Sequence, residues 1–318
     1  MSEIVNVGIC TVDAIARTID GYPPPGGLRL YEKLTLTTGG NAVNCSIALA
    51  KMGIHCDVII KVGQDMMGEY LVNECHRHGV NVDGVIRSSD SHTPFTFVCV
   101  LPGGQRSFFS TLGTNGTLAR EEIDLDIIRR AQFCFLTGTM VMPTLDGQPT
   151  ARLLAEVRQA GVKTLLDTVY LDSATAAAWH AAIDPALPTI DYFIPSFPEA
   201  QALTGSSEPS AMARQLQAGG CANVVIKLDA RGAFCREANG RETFVPAYCV
   251  DEVVDTTGAG DCWCAGFLAG LREGLSVPDA ARLGNATAAH CIQAPGASTG
   301  IVGLERIKAF QKTTPSRV

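Results

Sequence analysis

Short apolar runs alternate with longer segments of helical periodicity along most of the chain. The run "IVNVGIC" (residues 4–10) is rich in β-branched residues and predicts a buried first strand. The alternation is most regular after residue 131, where the order is "FCFLTG", a helix over 147–160, "VKTLLDT", a helix over 174–183, "DYFIP", helices over 198–204 and 209–219, and "NVVIKL". Strands that alternate with helices predict a mostly parallel sheet covered by helices on both faces, which is a three-layer α/β fold.

The segment between residues 41 and 87 continues this pattern. "NAVNCSIALAKMG" has apolar residues at helical spacing and ends at Gly53, a glycine suited to the position after a helix. It is followed by "CDVIIKVG", which predicts one strand, by "MGEYLVNECHRHG", which predicts a helix, and by "VDGVIR", which predicts a further strand. Such sheets bind ligands beyond the carboxyl ends of their strands, so we expect the functional residues there.

Two segments interrupt the rhythm and predict a second, smaller β layer. Residues 14–38 contain three consecutive prolines, which forbid a helix, followed by the alternating stretch "LRLYEKLTLTT". Residues 94–112 alternate across a Pro-Gly-Gly turn and predict a hairpin. We expect these two segments to form a β lid beside the sheet. The α/β core then comprises residues 1–13, 39–93 and 113–310, and residues 311–318 form a loose C-terminal tail.

Composition and charge exclude several classes of function. The chain has 318 residues, of which 46% are hydrophobic and 18% charged, so it is long and apolar enough for a substantial core. The net charge is −7, and no basic run reaches five residues, which argues against a nucleic-acid partner. No apolar run approaches the ~20 residues that a membrane helix needs. We therefore expect neither a nucleic-acid nor a membrane partner.

Twelve cysteines are scattered singly along the chain. The N-terminus "MSEIVNVGIC" lacks the basic and long apolar regions of a signal peptide, so we expect reduced, mostly buried thiols and a cytoplasmic location. Cys262 and Cys264 are spaced C-x-C, and Cys75 lies beside His76 and His78. Neither group has a second ligand pair at zinc-finger spacing, which favours a structural role for these residues.

The stretch "DTTGAGDCWC" (255–264) joins a glycine turn to an apolar segment. It is not a Walker A loop, because the chain has no Gly-Lys pair, and Trp263 stands where a dinucleotide fingerprint needs a third glycine. Small residues at a helix start leave backbone N–H groups free for an anion. Asp261 then either caps the helix or acts on the bound group, by accepting a proton or holding a metal.

A second polar cluster lies near the N-terminus. Asn41 and Asn44 are three residues apart and share one helix face, next to Gly39 and Gly40. Asp13 follows the first strand at the presumed binding edge. Asn41 alone could cap a helix and Asp13 alone could lie in a turn. Amides and a carboxylate together suit a polyhydroxylated ligand, since its hydroxyls both donate and accept, and so indicate a sugar.

The stretches "GGNAVNCSIALAKMG" and "DTTGAGDCWCAGFLAGL" resemble the paired signatures of the ribokinase-like, PfkB-type carbohydrate kinases. The resemblance continues through "KVGQDMMGEYL", "DYFIPSFPEAQALTG" and "VVIKLDARGA" in the family's order. It implies a ribokinase-like fold with a β lid and a kinase that transfers the γ-phosphoryl group of ATP to a sugar hydroxyl with the help of magnesium. Exposed lid strand edges also predict pairing with a second copy, and therefore a homodimer.

The resemblance also implies residue roles. Asp261 matches the general base, and Gly258, Ala259 and Gly260 match an anion hole. The sugar-contacting positions are Asp13, Gly39, Gly40, Asn41, Asn44 and Thr139. The nucleotide-site positions are Ser196, Lys227, Asp229, Gly232 and Asn285. Glu199 matches a residue that organises magnesium through water. Asp255 and the Thr257 carbonyl match part of a monovalent-cation site, such as one for potassium, which the loop 294–298 completes.

Some positions depart from the family pattern and leave alternatives open. Ser196 replaces the asparagine of Asn-x-x-Glu, and Asp229 replaces a glycine. Asn41 and Thr139 stand where ribokinase carries a lysine and a glutamate, which argues against ribose as the substrate.

Three alternatives therefore remain. A nucleoside kinase could hold a base on Phe97, Phe108 or Phe109. Arg106 could recognise an acidic or phosphorylated sugar. A non-catalytic sugar or nucleotide sensor could use the same fold.

Overall fold

The computed structural model describes residues 3–103 and 105–317. Its strands are β1 (Ile4–Gly8), β2 (Thr11–Arg17), β3 (Lys33–Gly39), β4 (Cys56–Ile59), β5 (Lys61–Gly63), β6 (Ile86–Ser88), β7 (Phe95–Val100), β8 (Arg106–Thr111), β9 (Phe133–Thr139), β10 (Lys163–Thr168), β11 (Tyr192–Phe193), β12 (Asn223–Lys227), β13 (Gly232–Arg236) and β14 (Glu242–Pro246). Its α-helices are α1 (Asn41–Lys51), α2 (Met66–Arg77), α3 (Leu125–Ile128), α4 (Gln148–Gln159), α5 (Ala176–Ile183), α6 (Phe197–Thr204), α7 (Pro209–Ala218), α8 (Ala259–Arg272), α9 (Val277–Cys291) and α10 (Leu304–Thr313).

The central layer is an eight-stranded sheet in the order β14-β13-β12-β11-β10-β9-β1-β4. Six neighbouring strands of this sheet, β4, β1, β9, β10, β11 and β12, pair in parallel. Strands β13 and β14 add an antiparallel edge next to β12. Successive residues of β1 point to opposite faces, so Ile4 packs with α1 and α8 in one buried cluster and Val5 packs with α4 and α7 in the other. Two cores on the two faces of one sheet make the three-layer α/β fold that the alternation predicts.

A separate four-stranded sheet, in the order β3-β2-β7-β8, lies at the carboxyl end of β1. Strand β2 pairs antiparallel with β3 and parallel with β7, and β7 pairs antiparallel with β8. Directly paired residues share a face, so Asp13, Thr37, Thr96 and Ser110 form one row on the same side of this sheet. We refer to the four strands as the lid sheet.

The segment "CDVIIKVG" forms two strands rather than the single predicted strand. Strand β4 stays in the central sheet, whereas β5 pairs with β6 in a small two-stranded sheet. Lys61 of β5 is buried against Glu122 and the Thr117 carbonyl, 2.9 Å from that oxygen, which ties β5 to the 113–122 region. An apolar run predicts burial but not the partner strand, so the break at Ile60 had no sequence signal.

The C-terminal segment is more ordered than predicted. Helix α10 continues to Thr313, beyond the predicted boundary at residue 310. The Cys249 amide donates to the Pro315 carbonyl over 3.0 Å, and the Arg317 amide donates to the Ala247 carbonyl over 2.7 Å. Residues 311–317 are therefore held by the end of α10 and by backbone hydrogen bonds. Backbone pairing of so short a segment has no recognisable sequence pattern.

Across the described ranges, none of the helices combines the length and apolarity needed to cross a membrane. All twelve cysteines are free thiols, and eleven of them are buried; Cys249 is exposed.

Candidate active site

The start of α8 presents bare backbone N–H groups. Gly258 is the N-cap residue, with a left-handed φ of 72°, and no side chain caps the helix. A Cβ atom at Gly258 would lie 2.6 Å from the Ala297 Cα, so only glycine fits both the conformation and the contact. Among the described residues, the structure records no acceptor for the N–H groups of Gly260 and Asp261. Free amides at a helix N-terminus form an anion site.

Asp261 does not cap its helix. It lies in the first turn of α8, and its Oδ2 accepts a hydrogen bond of 2.8 Å from Nδ2 of Asn44 on α1. Burial raises the pKa of Asp261, while the Asn44 hydrogen bond and the charge of Lys227 oppose that rise. The two signature stretches therefore meet at one carboxylate.

Asp13, on β2 of the lid sheet, lies near enough to Asp261 for its charge to act on that carboxylate. Burial raises its pKa to about 6, a rise that a hydrogen bond from Thr96 reduces, and its charge contributes to the raised pKa of Asp261. A Cβ atom on Gly39 would overlap the Asp13 carboxylate, so the glycine makes room for it. Gly40 is the N-cap residue of α1 with a φ of 88°, and partly buried Asn41 begins the helix. Contacts of Asp13, Gly39 and Asn44 thus converge on Asp261, and Gly40 and Asn41 lie at the start of the helix that carries Asn44. We refer to the space between these residues of the lid sheet and of the core as the lid cleft.

Thr139 lies at the carboxyl end of β9 and is fully buried, and its hydroxyl has no partner among the described residues. The Asn44 Oδ1 atom is likewise buried without a partner. Unpaired buried polar atoms are costly. Asn44 therefore has an acceptor available for a ligand hydroxyl, whereas nothing recorded brings the Thr139 side chain into contact with the cleft residues.

A buried ion pair lies beside the α8 turn. Lys227 Nζ, at the end of β12, contacts both oxygens of Asp167, at the end of β10, at 2.8 Å. The same Nζ is the nearest atom, at 4.0 Å, to a Cβ atom built on Gly260. Burial opposes the charge of Lys227, but Asp167 and Glu199 outweigh it and raise the pKa of the ammonium group. A permanent positive charge therefore lies next to residues 258–261, which we refer to as the anion turn.

Asp167 was missed by the sequence analysis. It ends the predicted strand "VKTLLDT", and a carboxylate at the carboxyl end of a parallel strand is a signal that could have identified it. Glu199 lies nearby on α6, where its carboxylate accepts the Ser196 amide over 2.6 Å. Ser196 itself forms a backbone bridge to Lys227. Ser196 thus connects α6 to the end of β12 through backbone contacts.

The predicted nucleotide-site residues, apart from Ser196, line one cavity of about 500 Å³. These residues are Lys227, Asp229, Gly232 and Asn285, together with Ala259 and Gly260 of the anion turn. The departure at Asp229 is accommodated because this residue takes the left-handed conformation, with a φ of 51°, that a glycine would take.

Asn285 is engaged within the protein. Its Oδ1 accepts from the Trp263 indole over 2.7 Å, and its Nδ2 donates to the Val245 and Pro246 carbonyls at 3.1 and 3.0 Å. Both of its N–H groups are used, so Asn285 fixes the wall of the cavity rather than offering donors to a ligand. The apolar lining also includes Tyr248, which the sequence analysis did not identify.

Asp255 lies behind the turn and is almost fully buried. Burial alone would raise its pKa, but hydrogen bonds from the Thr257 and Gly296 amides and from Arg106 lower it to about 2. Arg106, at the start of β8, contacts Asp255 Oδ1 at 2.9 Å and donates to the Thr257 hydroxyl. The lid sheet is thereby bonded to the anion turn.

These features define a class of protein. A helix N-terminus with bare amides separates a nucleotide-sized cavity from a cleft with a carboxylate, at the carboxyl edge of a parallel sheet. That arrangement suits phosphoryl transfer between two bound molecules, which depends on positioning and charge stabilisation.

Comparison with known proteins identifies the family. The pfkB family carbohydrate kinase model matches residues 1–302. The 2-dehydro-3-deoxygluconokinase of Bacillus subtilis is 31% identical over 296 residues, which cover 90% of each chain. A ribokinase of Haemophilus influenzae is 28% identical and covers 88% of this chain and 89% of its own. The chain therefore belongs to the pfkB family of carbohydrate kinases.

A solved structure supports the fold. The ribokinase of Arabidopsis thaliana, complexed with ribose and ATP, superposes with a TM-score of 0.87 over 98% of this chain and 99% of its own, at 24% identity. The predicted ribokinase-like fold and the prediction of a sugar kinase are thus confirmed. The roles of the individual residues stay predictions.

Proposed function

We propose that this protein transfers the γ-phosphoryl group of ATP to a hydroxyl of a small neutral sugar, with Asp261 as the general base. One observation carries the proposal: Asp261 meets Asn44 in the lid cleft while the adjacent Gly260 lines the nucleotide cavity. A sugar hydroxyl in the cleft would give its proton to Asp261 while its oxygen bonds to the γ-phosphorus and the bond to ADP breaks.

The turn 258–261 would serve as the anion hole. Its free amides and the adjacent Lys227 ammonium place fixed positive charge where negative charge develops on the transferring group. The raised pKa of Asp261 suits a base, since a more basic carboxylate accepts a proton more readily.

The carboxylates near Lys227 fit a magnesium ion held through water. Burial raises the pKa of both Asp167 and Glu199, and the charge of Asp167 raises that of Glu199 further. The single positive charge of Lys227 does not neutralise the three carboxylates of Asp167, Glu199 and Asp261. Glu199 and Asp167 would orient that hydrated ion, which would neutralise charge on the phosphates.

The cleft favours an uncharged acceptor. Asp13 and Asp261 both face it, and Arg106 is already bonded to Asp255. A carboxylate or phosphate on the acceptor would meet two like charges. Asp13, Gly39, Gly40, Asn41 and Asn44 would contact the sugar, whereas a contact from buried Thr139 rests on the resemblance alone.

A nucleoside is the second candidate substrate, and of the three lid phenylalanines only Phe108 is placed to contact its base. Phe108 pairs with Val98, which pairs with Ile15, so it shares the face of Asp13, and it is 63% exposed. Phe97 and Phe109 lie on the opposite face, where they pack against Tyr31 and Tyr22.

The outer face of the lid sheet suits contact with a second copy. Leu34 and Leu36 pair with Ala16 and Ala14 on the face opposite Asp13, and both leucines remain exposed. Leu30, in the connection between β2 and β3, is 88% exposed. Exposed leucines on the lid sheet and on its β2–β3 connection are typical of an interface, and we propose a homodimer through them.

The function is tested by measuring ADP formation from ATP and magnesium over a panel of neutral sugars, sugar acids, sugar phosphates and nucleosides. We expect turnover with a neutral sugar and a loss of about 10²–10⁴ in kcat for Asp261→Asn. Asp251→Asn, at an exposed position of the preceding loop, is the matched control. ATP binding without turnover of any panel member would instead support a sensor.

A further inference from the structure

The atoms that a monovalent cation would use behind the anion turn are already bonded within the protein. Asp255 Oδ1 accepts the Thr257 amide at 2.8 Å and contacts Arg106 at 2.9 Å, and Asp255 Oδ2 accepts the Gly296 amide at 3.0 Å. Both carboxylate oxygens are therefore engaged, and one of the three partners is a permanent cation.

The neighbouring carbonyls are also engaged. The Cys291 thiol lies 3.5 Å from the Thr257 carbonyl and 3.3 Å from the Ala297 carbonyl and can donate to one of the two, and the Cys262 thiol donates to the Ala297 carbonyl at 3.1 Å. Cys262, Cys291 and Ala297 are buried, and Thr257 is half-buried. A potassium ion would have to displace the thiols from oxygens that it prefers as ligands.

A guanidinium group and a potassium ion compete for the same carboxylate. Arg106 is largely buried, with 27% of its side chain exposed, and Asp255 has 5% exposed. Two positive charges at one buried oxygen pair repel strongly because little water screens them. The described residues therefore do not fit the monovalent cation that the resemblance implies.

We propose that Arg106 takes the place of the monovalent cation. Its guanidinium balances Asp255 and holds Thr257, which precedes Gly258, and so fixes the backbone behind the anion hole. Because Arg106 begins β8 in the lid sheet, the support for the anion hole comes from the lid itself. Arg106 is thus a positioning residue, and the enzyme works without potassium. The kinetic part of this proposal rests on the proposed kinase function, whereas the cation-binding part does not.

The test replaces Arg106 and asks whether a cation fills the vacated position. Arg106→Met removes the charge but keeps a long side chain, and Arg106→Lys keeps a charge. Arg17→Met is the matched control, since Arg17 lies at the same end of the lid sheet, pairs with Lys33 and has no recorded contact with Asp255. Melting temperature and kinase rate are measured in potassium chloride and in choline chloride at an equal ionic strength of about 0.1 M, so that charge screening is constant.

For the unchanged protein, Arg106→Lys and Arg17→Met, we expect the rate to differ less than about twofold between the two salts, with no potassium-specific rise in melting temperature. Arg106→Met should lose about tenfold or more in kcat in choline, because the anion hole is misplaced, and regain much of it in potassium. Potassium should raise its melting temperature, since a ligand that binds the native state stabilises it.

Two results would overturn the proposal. One is a potassium-specific rise in the rate or melting temperature of the unchanged protein. The other is an Arg106→Met variant that responds to potassium no more than Arg17→Met does. The melting-temperature measurements test whether potassium binds even if no sugar is phosphorylated. A failure of the kinase proposal and a failure of the Arg106 proposal are therefore distinguishable.

Discussion

Asn44 on α1 donates a 2.8 Å hydrogen bond to Asp261 on α8, and this contact joins two residues 217 positions apart in the chain. The bond is one of the two main influences that hold the pKa of Asp261 down against the effect of burial. The state of the proposed base is therefore set from the opposite end of the sequence.

Replacing Asn44 by leucine should move the pH dependence of the reaction. Without the donor, the pKa of Asp261 rises further, so the carboxylate stays protonated to a higher pH and the acid limb of kcat moves upward. At alkaline pH, kcat at saturating sugar should approach that of the unchanged enzyme, while KM should be higher because Asn44 would also contact the sugar. The measurement is a pH–rate profile, with Asn73→Leu on the exposed side of α2 as the control. An acid limb that stays in place would show that the bond does not tune Asp261.

Asp13 should make the free energy of unfolding depend on pH, with lower stability at higher pH. Its pKa of about 6 in the folded state lies above the ordinary 3.8, so the folded protein holds this proton more tightly than the unfolded chain. Stability should therefore fall as pH rises from about 4 to about 6 and stay lower above that. Asp13→Asn should make the sugar-free protein more stable at pH above about 6 and leave it unchanged below about 4, as measured by urea unfolding.

The same Asp13→Asn variant should lose sugar affinity, because an amide does not replace a carboxylate that accepts two hydroxyls. Asp20→Asn, at an exposed position of the lid connection, should change neither stability nor KM. A gain of stability at every pH would contradict the assigned titration.

Lys227→Met should be strongly destabilising. It leaves Asp167, whose side chain is 2% exposed, as an unpaired buried carboxylate, and breaking such a pair costs about 3–5 kcal/mol. Removing both charges with Asp167→Leu should recover part of that free energy of unfolding. Lys163→Met breaks an exposed contact with Asp191 and should cost at most about 1 kcal/mol. Equal costs for the two lysines in denaturant titrations would show that Asp167 is solvated.

Leu30→Lys should weaken the proposed dimer without affecting the folded monomer. The side chain is 88% exposed, so the substitution removes no internal packing. Sedimentation equilibrium should show a dimer for the unchanged protein and a larger dissociation constant for the variant. Leu275→Lys, between α8 and α9, is the control. A monomeric unchanged protein at assay concentration would rule out the interface.

The sequence predicted the features that are encoded by a repeating pattern of apolar residues or by a short motif. The alternation after residue 131 predicted the parallel sheet, and the two glycine-containing signatures located Asn44 and Asp261. Contacts set by tertiary pairing were missed. Asp167 has no motif around it, so only its place near the carboxyl end of a strand could have identified it, and Arg106 lies near a hairpin turn where most arginines are solvated. Neither its partner Asp255 nor the pairing of residues 315–317 can be deduced from local spacing, because both depend on where distant backbone passes.

The first turn of α8 lies between the cavity and the lid cleft. Gly260 lines the nucleotide cavity, and the next residue, Asp261, is bonded in the lid cleft. Under the proposed function, donor and acceptor lie on either side of one peptide unit, so the phosphoryl group moves directly between them within a ternary complex. Such a displacement inverts the configuration at phosphorus and leaves no phosphorylated protein behind.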